Sequence, residues 1–351
     1  MRIAFAGCGN IAPRYADCIA AADGLELVGA TDIAPGAAER FVAEHGGTAY
    51  GTLDELLADD GVDLVVNLTA PQAHAAVTHA ALSAGKHAHS EKPLALRYAE
   101  ARELVELAQR NGVRLSSAPA TLLGEAQQSA WKLIRDGAVG KVRVVYAEAN
   151  WDRIERWHPD PRALYAVGPL VDVGVYPLAI MTAMFGPVRR VQAYGATVEP
   201  HRVRLDGSTF RLEAPDFVVA ALELADGVVA RLTATFYVGS SKQRGLEIHG
   251  DNGSLYMPTW AEFDSRLELK ERGGEYETVQ PLREPYHGID WSRALTDLAE
   301  AVADGRPHRA SGEQAAHLVE TLEAVQASLD GGGGVEVRSD FRRPEPLDWA
   351  R

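Results

Sequence analysis

The sequence predicts an N-terminal Rossmann domain, a doubly wound α/β parallel sheet, followed by an α+β domain with a large open, mainly antiparallel sheet. Three observations carry this expectation. Short apolar runs alternate with helical stretches up to Ala118, the rhythm of repeated βα units. The first run is followed at once by G-x-G-x-x-A, formed by Gly7, Gly9 and Ala12. Beyond Ala118-Pro119 strand-like segments follow one another with few helices between them. The expected division is 1–118 for dinucleotide binding and 119–351 for substrate binding and oligomerisation.

Ile3 to Ala6 reads as a buried parallel strand. Gly7 would allow the tight turn, Gly9 would let a pyrophosphate approach the backbone, and Ala12 would let the helix pack on the strand. Free N–H groups and the positive end of the helix dipole would hold the phosphates. Gly7, Gly9, Asn10 and Ile11 are therefore candidate cofactor contacts. The helix is expected from Ile11 to Ala22, stopped by Asp23-Gly24, and Leu25 to Ala30 is the next strand. It ends in Thr31 and Asp32, about 20 residues past the fingerprint, where an acid accepts hydrogen bonds from the adenosine ribose. Asp32 would alternatively cap the turn. A carboxylate there repels a 2′-phosphate, and Ile33-Ala34-Pro35-Gly36 offers no cation, so NAD is expected over NADP.

A helix carrying Ala37, Ala38, Phe41 and Val42 follows Pro35-Gly36, and Tyr50 starts a short strand. Thr52 and Glu55 form a capping box for Leu53 to Leu57. Val62 to Leu68 is a buried strand ending in Thr69-Ala70-Pro71, and Gln72 to Ala84 a helix. His87 to Ser90 is a strand leading into Glu91-Lys92-Pro93. Tyr98 to Asn111 and Val113 to Ser117 complete the alternation. Ligands of such sheets bind beyond the strand C-terminal ends, where Asp32, Thr69, Glu91 and Lys92 all fall.

In the second half a helix is expected over Glu125 to Arg135 and another over Tyr176 to Phe185. Strands are expected at Val142–Asn150, Val188–Thr197, Phe217–Leu224, Val228–Tyr237 and Gly245–His249, with Asp226-Gly227 as a hairpin turn. Helices over Trp291–Ala303 and Gly312–Leu329 close the chain, before a glycine loop and a last short strand.

A net charge of -14 over 351 residues argues against nonspecific nucleic-acid binding and against anionic membrane surfaces. Two cysteines, Cys8 and Cys18, make neither a disulfide framework nor a Cys-rich zinc site. His87 and His89 alternate on a strand but lack a further ligand at suitable spacing, so no metal is expected. No apolar run is long enough to span a bilayer and no signal peptide precedes the first strand, so the cytoplasm is the expected compartment.

Two further motifs stand in order behind the fingerprint: Ala84-Gly85-Lys86-His87 leading into Glu91-Lys92-Pro93, and the stretch Gly168 to Pro177 containing Asp172 and Tyr176. With these the chain resembles the Gfo/Idh/MocA family, the relatives of glucose–fructose oxidoreductase and inositol 2-dehydrogenase. The resemblance extends to Gly305-Arg306-Pro307-His308 and the helix after it. It implies an NAD(P)-dependent dehydrogenase or reductase acting on CH–OH groups of sugars and polyols. It places the family's motif lysine on Lys92 and its aspartate on Asp172. Four residues on, inositol dehydrogenases have histidine, whereas Tyr176 matches the glucose–fructose oxidoreductase side and tilts the expectation towards cyclic or aldose-like substrates. His74, with Thr69 and Pro71 before it, resembles a position lining the nicotinamide; packing against the neighbouring strand end is its bland reading.

The residue types suit the chemistry. As hydride leaves a carbinol carbon, a base takes the hydroxyl proton. Tyrosine, with an ordinary pKa of about 10, is a poor base near neutrality unless a cation favours the tyrosinate. Lys92 could supply that cation or bond the reacting oxygen, while Asp172 could orient a substrate hydroxyl or the lysine. Taken singly, the three would read as a surface lysine, a packed tyrosine and a helix cap. Upstream, Trp151-Asp152-Arg153 and Trp157-His158-Pro159-Asp160-Pro161 suit sugar stacking and hydroxyl recognition, with Arg153, Trp157 and His158 as candidates, or form a proline-stiffened loop. Together these features imply hydride transfer between a sugar or polyol and NAD. The alternatives are an NAD-dependent glycosidase working by transient oxidation and a noncatalytic dinucleotide sensor. An open sheet face implies a homodimer or homotetramer.

Overall fold

The computed structural model describes every residue of the chain except Asp160, and of Ala163 only the backbone. The elements alternate as β1 (Arg2–Ala6), α1 (Ala12–Ala20), β2 (Glu26–Thr31), α2 (Ala37–His45), β3 (Thr48–Tyr50), α3 (Leu53–Ala58), β4 (Leu64–Asn67), α4 (His74–Ser83), β5 (His87–Ser90), α5 (Tyr98–Asn111) and β6 (Leu115–Ser117). Then come α6 (Glu125–Arg135), β7 (Val142–Asn150), α7 (Arg162–Val167), α8 (Val175–Phe185), β8 (Val188–Ala196), β9 (His201–Val203), β10 (Thr209–Arg211), β11 (Phe217–Leu224), β12 (Val229–Thr235), β13 (Gly245–Gly250), β14 (Gly253–Met257), β15 (Leu267–Glu271) and β16 (Glu277–Val279). The chain closes with α9 (Arg293–Asp304), α10 (Gly312–Gly331) and β17 (Val335–Glu336).

Two compact units result. The first holds Met1–Ala120, Asp290–Val319 and Asp340–Glu345; the second holds Thr121–Ile289, Glu320–Ser339 and Pro346–Arg351. In the first, six strands lie in the order β3-β2-β1-β4-β5-β6, and every pairing is parallel. This is the doubly wound sheet expected from the alternation. Both faces are covered, which explains why β1 reads as an unbroken apolar run. Ile3 and Phe5 turn to one face with Tyr15, Ile19, Phe41, Leu295 and Leu298. Ala4 and Ala6 turn to the other with Leu56, Leu82 and Leu104. Burial of one such large side chain stabilises the fold by roughly 1.5–3 kcal/mol.

The second unit is built on nine strands in the order β16-β15-β14-β13-β7-β12-β11-β8-β17. All neighbours are antiparallel except β7 and β12, which run parallel in the middle. Alternation divides its two faces cleanly. Val145, Ala147, Ala230, Leu232, Ala220, Leu222 and Val191 are buried. Their neighbours Tyr146, Arg231, Ala221 and Gln192 pair across the other face, with Glu148, Thr233, Val219 and Tyr194 as the next row. On that open face Tyr146, Tyr194 and Val229 are exposed.

Helix and strand ends fall within a residue or two of expectation, the usual slack, except that Tyr50, expected to start β3, ends it. The Thr52 cap is present: Thr52 Oγ1 accepts the Glu55 N–H at 3.1 Å. The Glu55 carboxylate reaches back to the N–H of Gly51 at 2.9 Å, one residue beyond a capping-box partner. Five strands, β9, β10, β14, β15 and β16, and the helix α7 are absent from the sequence reading. β9, β10 and β16 are three residues each, too short to show a period. β15 does alternate, as Leu-Glu-Leu-Lys-Glu, and was legible. The short helix α7 lacks a side-chain cap. Among the described residues no helix is long and apolar enough to cross a membrane.

Candidate active site

The first cluster lies at the C-terminal ends of β1, β2, β4 and β5. Gly7 has φ +101°, and a Cβ there would stand 2.7 Å from the Leu68 carbonyl oxygen, so only glycine fits. Its N–H donates to Thr31 O at 2.8 Å, tying the loop to β2. Gly9 differs: a Cβ there would meet nothing within 4 Å, so the loop opens into space in front of α1. No side chain caps α1; its first N–H, that of Ala12, donates to Gly9 O at 3.1 Å and Pro13 at the second position has none, so an anion in front of the helix would be met by the loop N–H groups of Asn10 and Ile11. These residues fit a dinucleotide pyrophosphate.

Asp32 is half-buried and does two things at once. Its Oδ2 accepts the Cys8 N–H and its Oδ1 the Ala34 N–H, each at 2.7 Å. The carboxylate thus pins the glycine loop and caps the turn, and its remaining lone pairs can still accept from ribose hydroxyls. Cys8 lies beside it. Burial, reinforced by the Asp32 charge, pushes its thiol up to about 11, so it stays protonated near neutrality.

At the end of β4 the buried Asn67 organises the next segment. Its side-chain N–H groups donate to His74 O and Thr78 Oγ1, both at 3.0 Å. Its Oδ1 accepts from the Thr69 hydroxyl at 2.6 Å and the Thr69 N–H at 3.2 Å. His74 is buried, with Nδ1 2.7 Å from Pro93 O and Nε2 3.0 Å from Thr69 O. It therefore joins the Thr69–Pro71 turn to the Glu91-Lys92-Pro93 segment. Glu91 is buried, and its carboxylate accepts from the Tyr15 hydroxyl and from the Lys92 N–H. Lys92 itself is half-buried. His89 bonds Ser116 Oγ at 3.0 Å, and burial lowers it to about 3, so it is neutral. Among the described residues no group of three or more His, Cys, Asp or Glu side chains gathers as a metal site.

The second cluster belongs to the other unit. Asp172 sits in a π-helical turn, Leu170–Gly174, that runs directly into α8. Such wide turns often mark functional sites. The one-turn spacing expected between Asp172 and Tyr176 is here a π turn joined to an α-helix. A Cβ on Gly174 would lie 2.7 Å from Leu170 Cδ1 and 3.3 Å from Ala234 Cβ, so this turn packs tightly over β12. Asp172 and Tyr176 are both half-buried. The Tyr176 ring lies 5.1 Å from that of Trp260, tilted by 32°. Trp260 is anchored by its Nε1–H, which donates to Glu148 O at 3.1 Å.

The loop leaving β7 carries the remaining candidates. Trp157 is 53% exposed and meets His158 edge to face at 5.6 Å. An exposed indole is available for stacking. Arg153 lies over the Tyr237 ring at 5.1 Å and 3.5 Å from Asp152, which also pairs with Arg156 at 3.0 Å. Asp160 lies outside the described residues. Beneath the loop is a buried ion cluster. Arg202 pairs with Glu155 at 3.0 Å and with Asp216, and it lies over the Tyr165 and Tyr237 rings. Tyr165 donates to Glu155, and burial, then this bond, pushes its phenol far above the usual range. Asp216 also accepts the Val198 N–H at 2.7 Å. Arg202, Asp216 and Tyr165 leave no local sequence signal, because their partners lie 10 to 47 residues away, beyond any helix or strand period. Asn67 and Tyr15 were missed too; an asparagine closing an apolar strand was the one hint.

The chain matches a family model described as an oxidoreductase family with an NAD-binding Rossmann fold over residues 1–118. It matches the GFO/IDH/MocA C-terminal domain over residues 127–256. It is 30% identical over 343 residues to dTDP-3,4-didehydro-2,6-dideoxy-α-D-glucose 3-reductase of Streptomyces violaceoruber, spanning 93% of this chain and 94% of that protein. In fold it is similar to an NAD-binding oxidoreductase of Klebsiella pneumoniae, with a TM-score of 0.85 and 22% identity over 97% of this chain and 100% of the other. It is likewise similar to a levoglucosan dehydrogenase in complex with NADH and L-sorbose, with a TM-score of 0.84 and 19% identity over 97% and 99%.

Proposed function

The chain belongs to the Gfo/Idh/MocA family of oxidoreductases, and from that premise we propose that it transfers a hydride between NAD and a secondary alcohol of a sugar, sugar derivative or polyol. The observation that carries this is the contrast between two glycines. Gly7 is closed against Leu68, while Gly9 opens into free space before an uncapped helix, the surroundings a pyrophosphate needs. When bound, the nicotinamide supplies the hydride acceptor or donor. In this reading the segment 1–118 holds the cofactor, with Gly7, Gly9, Asn10 and Ile11 at the phosphates and Asp32 at the ribose. Thr69, Pro71, His74, Glu91 and Lys92 form the strand-end wall on the nicotinamide side. Residues 119–351 bind substrate, with Arg153, Trp157 and His158 presenting a stacking ring and polar groups. Lys92, Asp172 and Tyr176 handle the hydroxyl proton: the ammonium favours an anionic oxygen, the tyrosine exchanges the proton, and the carboxylate orients a substrate hydroxyl. The exposed tyrosines of the open sheet face support a homodimer or homotetramer formed through it.

The test is a panel of D-glucose, D-xylose, levoglucosan, myo-inositol and dTDP-glucose assayed with NAD and with NADP. NAD-linked turnover of at least one sugar is expected. Lys92→Ala and Tyr176→Phe should each lower its kcat by about 10² while NADH binding survives. Near-normal kcat in both variants would reject the catalytic assignment.

A further inference from the structure

We propose that Tyr15 and Glu91 are positioning residues for Lys92, acting through the peptide N–H that carries its side chain. The inference rests on the role given to Lys92 above. Glu91 follows β5 directly, and its own N–H donates to Asn67 O at 2.9 Å, which fixes the backbone entering the motif. Its side chain then turns inward rather than out to solvent; the residue is 9% exposed. Each carboxylate oxygen has an identified donor. The Tyr15 hydroxyl donates to Oε1 at 2.8 Å, and the Lys92 N–H donates to Oε2 at 3.0 Å. A buried carboxylate is tolerated only where donors replace water, and in such surroundings each bond is stronger than at the surface.

The Tyr15 hydroxyl is itself held in place. Its ring meets Phe5 edge to face at 6.3 Å and lies 5.6 Å from the Trp291 ring. Its oxygen is 3.4 Å from His89 Nε2, while the other nitrogen of His89 bonds Ser116 Oγ. Side chains from α1, β5 and β6 therefore converge on one carboxylate, and that carboxylate restrains one peptide group. Tyr15 also lies one turn beyond Ile11, so the helix that opens at the phosphate site also sets Lys92. Removing the hydroxyl frees one oxygen of Glu91, lets the carboxylate rotate, and loosens the Lys92 backbone without touching the glycine loop.

The test compares Tyr15→Phe, Glu91→Ala, Glu91→Gln, the Tyr15→Phe/Glu91→Ala double variant and Lys92→Ala, using the best-turned-over sugar of the panel. Tyr15→Phe should lower kcat about tenfold and leave KM for NAD within about twofold. Glu91→Ala should lose at least as much, Glu91→Gln should recover part of that loss, and the double variant should be no slower than Glu91→Ala, because the two residues act in series. A substrate-free reading is amide exchange of the segment 91–97, measured by mass spectrometry on the whole protein: Lys92 should exchange about tenfold faster in Tyr15→Phe. Unchanged kcat and exchange in Tyr15→Phe, or losses that multiply in the double variant, would overturn the proposal. Should Tyr15→Phe not fold, the Glu91→Ala and Glu91→Gln pair decides by the same kcat and exchange readings. If Lys92→Ala is inactive and Tyr15→Phe is normal, the positioning role alone fails. A fully active Lys92→Ala removes the role of Lys92 and this proposal with it.

Discussion

Asp32 carries two demands that pull in different directions. It accepts the N–H of Cys8 and of Ala34, so it is part of the loop's scaffold, and in the proposed reading its charge also faces the adenosine ribose. We expect NAD to be preferred over NADP by at least about tenfold in kcat/KM, or roughly 1.4 kcal/mol. Asp32→Ser with Ile33→Arg should narrow that preference and also lower Tm, because serine cannot hold both N–H groups. Equal use of NADP by the unmodified protein, with any active sugar, would refute the ribose role. His89 makes a second prediction at this scale. Its folded pKa of about 3 lies below the ordinary 6.5, so the folded state refuses a proton that the unfolded chain accepts. Stability is then full above about pH 6.5 and falls as the pH drops towards about 3; by pH 5 the loss is about 1–2 kcal/mol. His87 and His308 are shifted the same way by burial and add to it. Tm should fall between pH 7 and pH 5, and His89→Asn, which keeps a donor for Ser116, should flatten that slope. An identical slope in the variant would mean that other groups govern the acid response.

Among the elements, the loop after β7 depends on charges that its own sequence does not explain. Arg202, at 2% side-chain exposure, pairs with both Glu155 and Asp216 and is stacked on two tyrosines. Arg202→Met would strand both carboxylates in the interior, a loss of about 3–5 kcal/mol. A large fall in Tm is expected, with a raised substrate KM in whatever remains folded, because Ile154 and Arg153 lose their support; an unaltered Tm would show that the cluster contributes nothing net. The same region shows where sequence patterns stop being informative. The parallel strands were legible because burial on both faces makes each an apolar run bounded by turn residues. β11 and β12 were legible through alternation and the Asp226-Gly227 turn. The fingerprint, Glu91-Lys92 and Asp172–Tyr176 were legible as ordered motifs. The ion cluster was not, since Glu155, Arg202 and Asp216 meet only after the chain has folded. Nor was the Tyr15–Glu91 bond, in which the tyrosine reads simply as an apolar position on α1.

At the scale of the whole molecule, the open sheet face is the feature that calls for a partner. Tyr146 and Tyr194 stand on it, with Arg231 lying over the Tyr146 ring at 4.5 Å. Light scattering after size exclusion should show a dimer or tetramer, and Tyr194→Glu should shift it towards monomer; a monomeric unmodified protein would dismiss the interface. The path of the chain has a different consequence. One face of the first sheet packs against Leu295 and Leu298 of α9, and α1 meets Trp291, although all three residues follow every strand of the second sheet but β17 in sequence. During synthesis, the glycine loop and its sheet emerge from the ribosome well before the helix that covers them. That apolar face must wait for α9 while every strand of the second sheet but β17 is made. The cofactor-binding half is thus the first part to be made and among the last to be finished, and a chain interrupted anywhere before α9 leaves it uncovered.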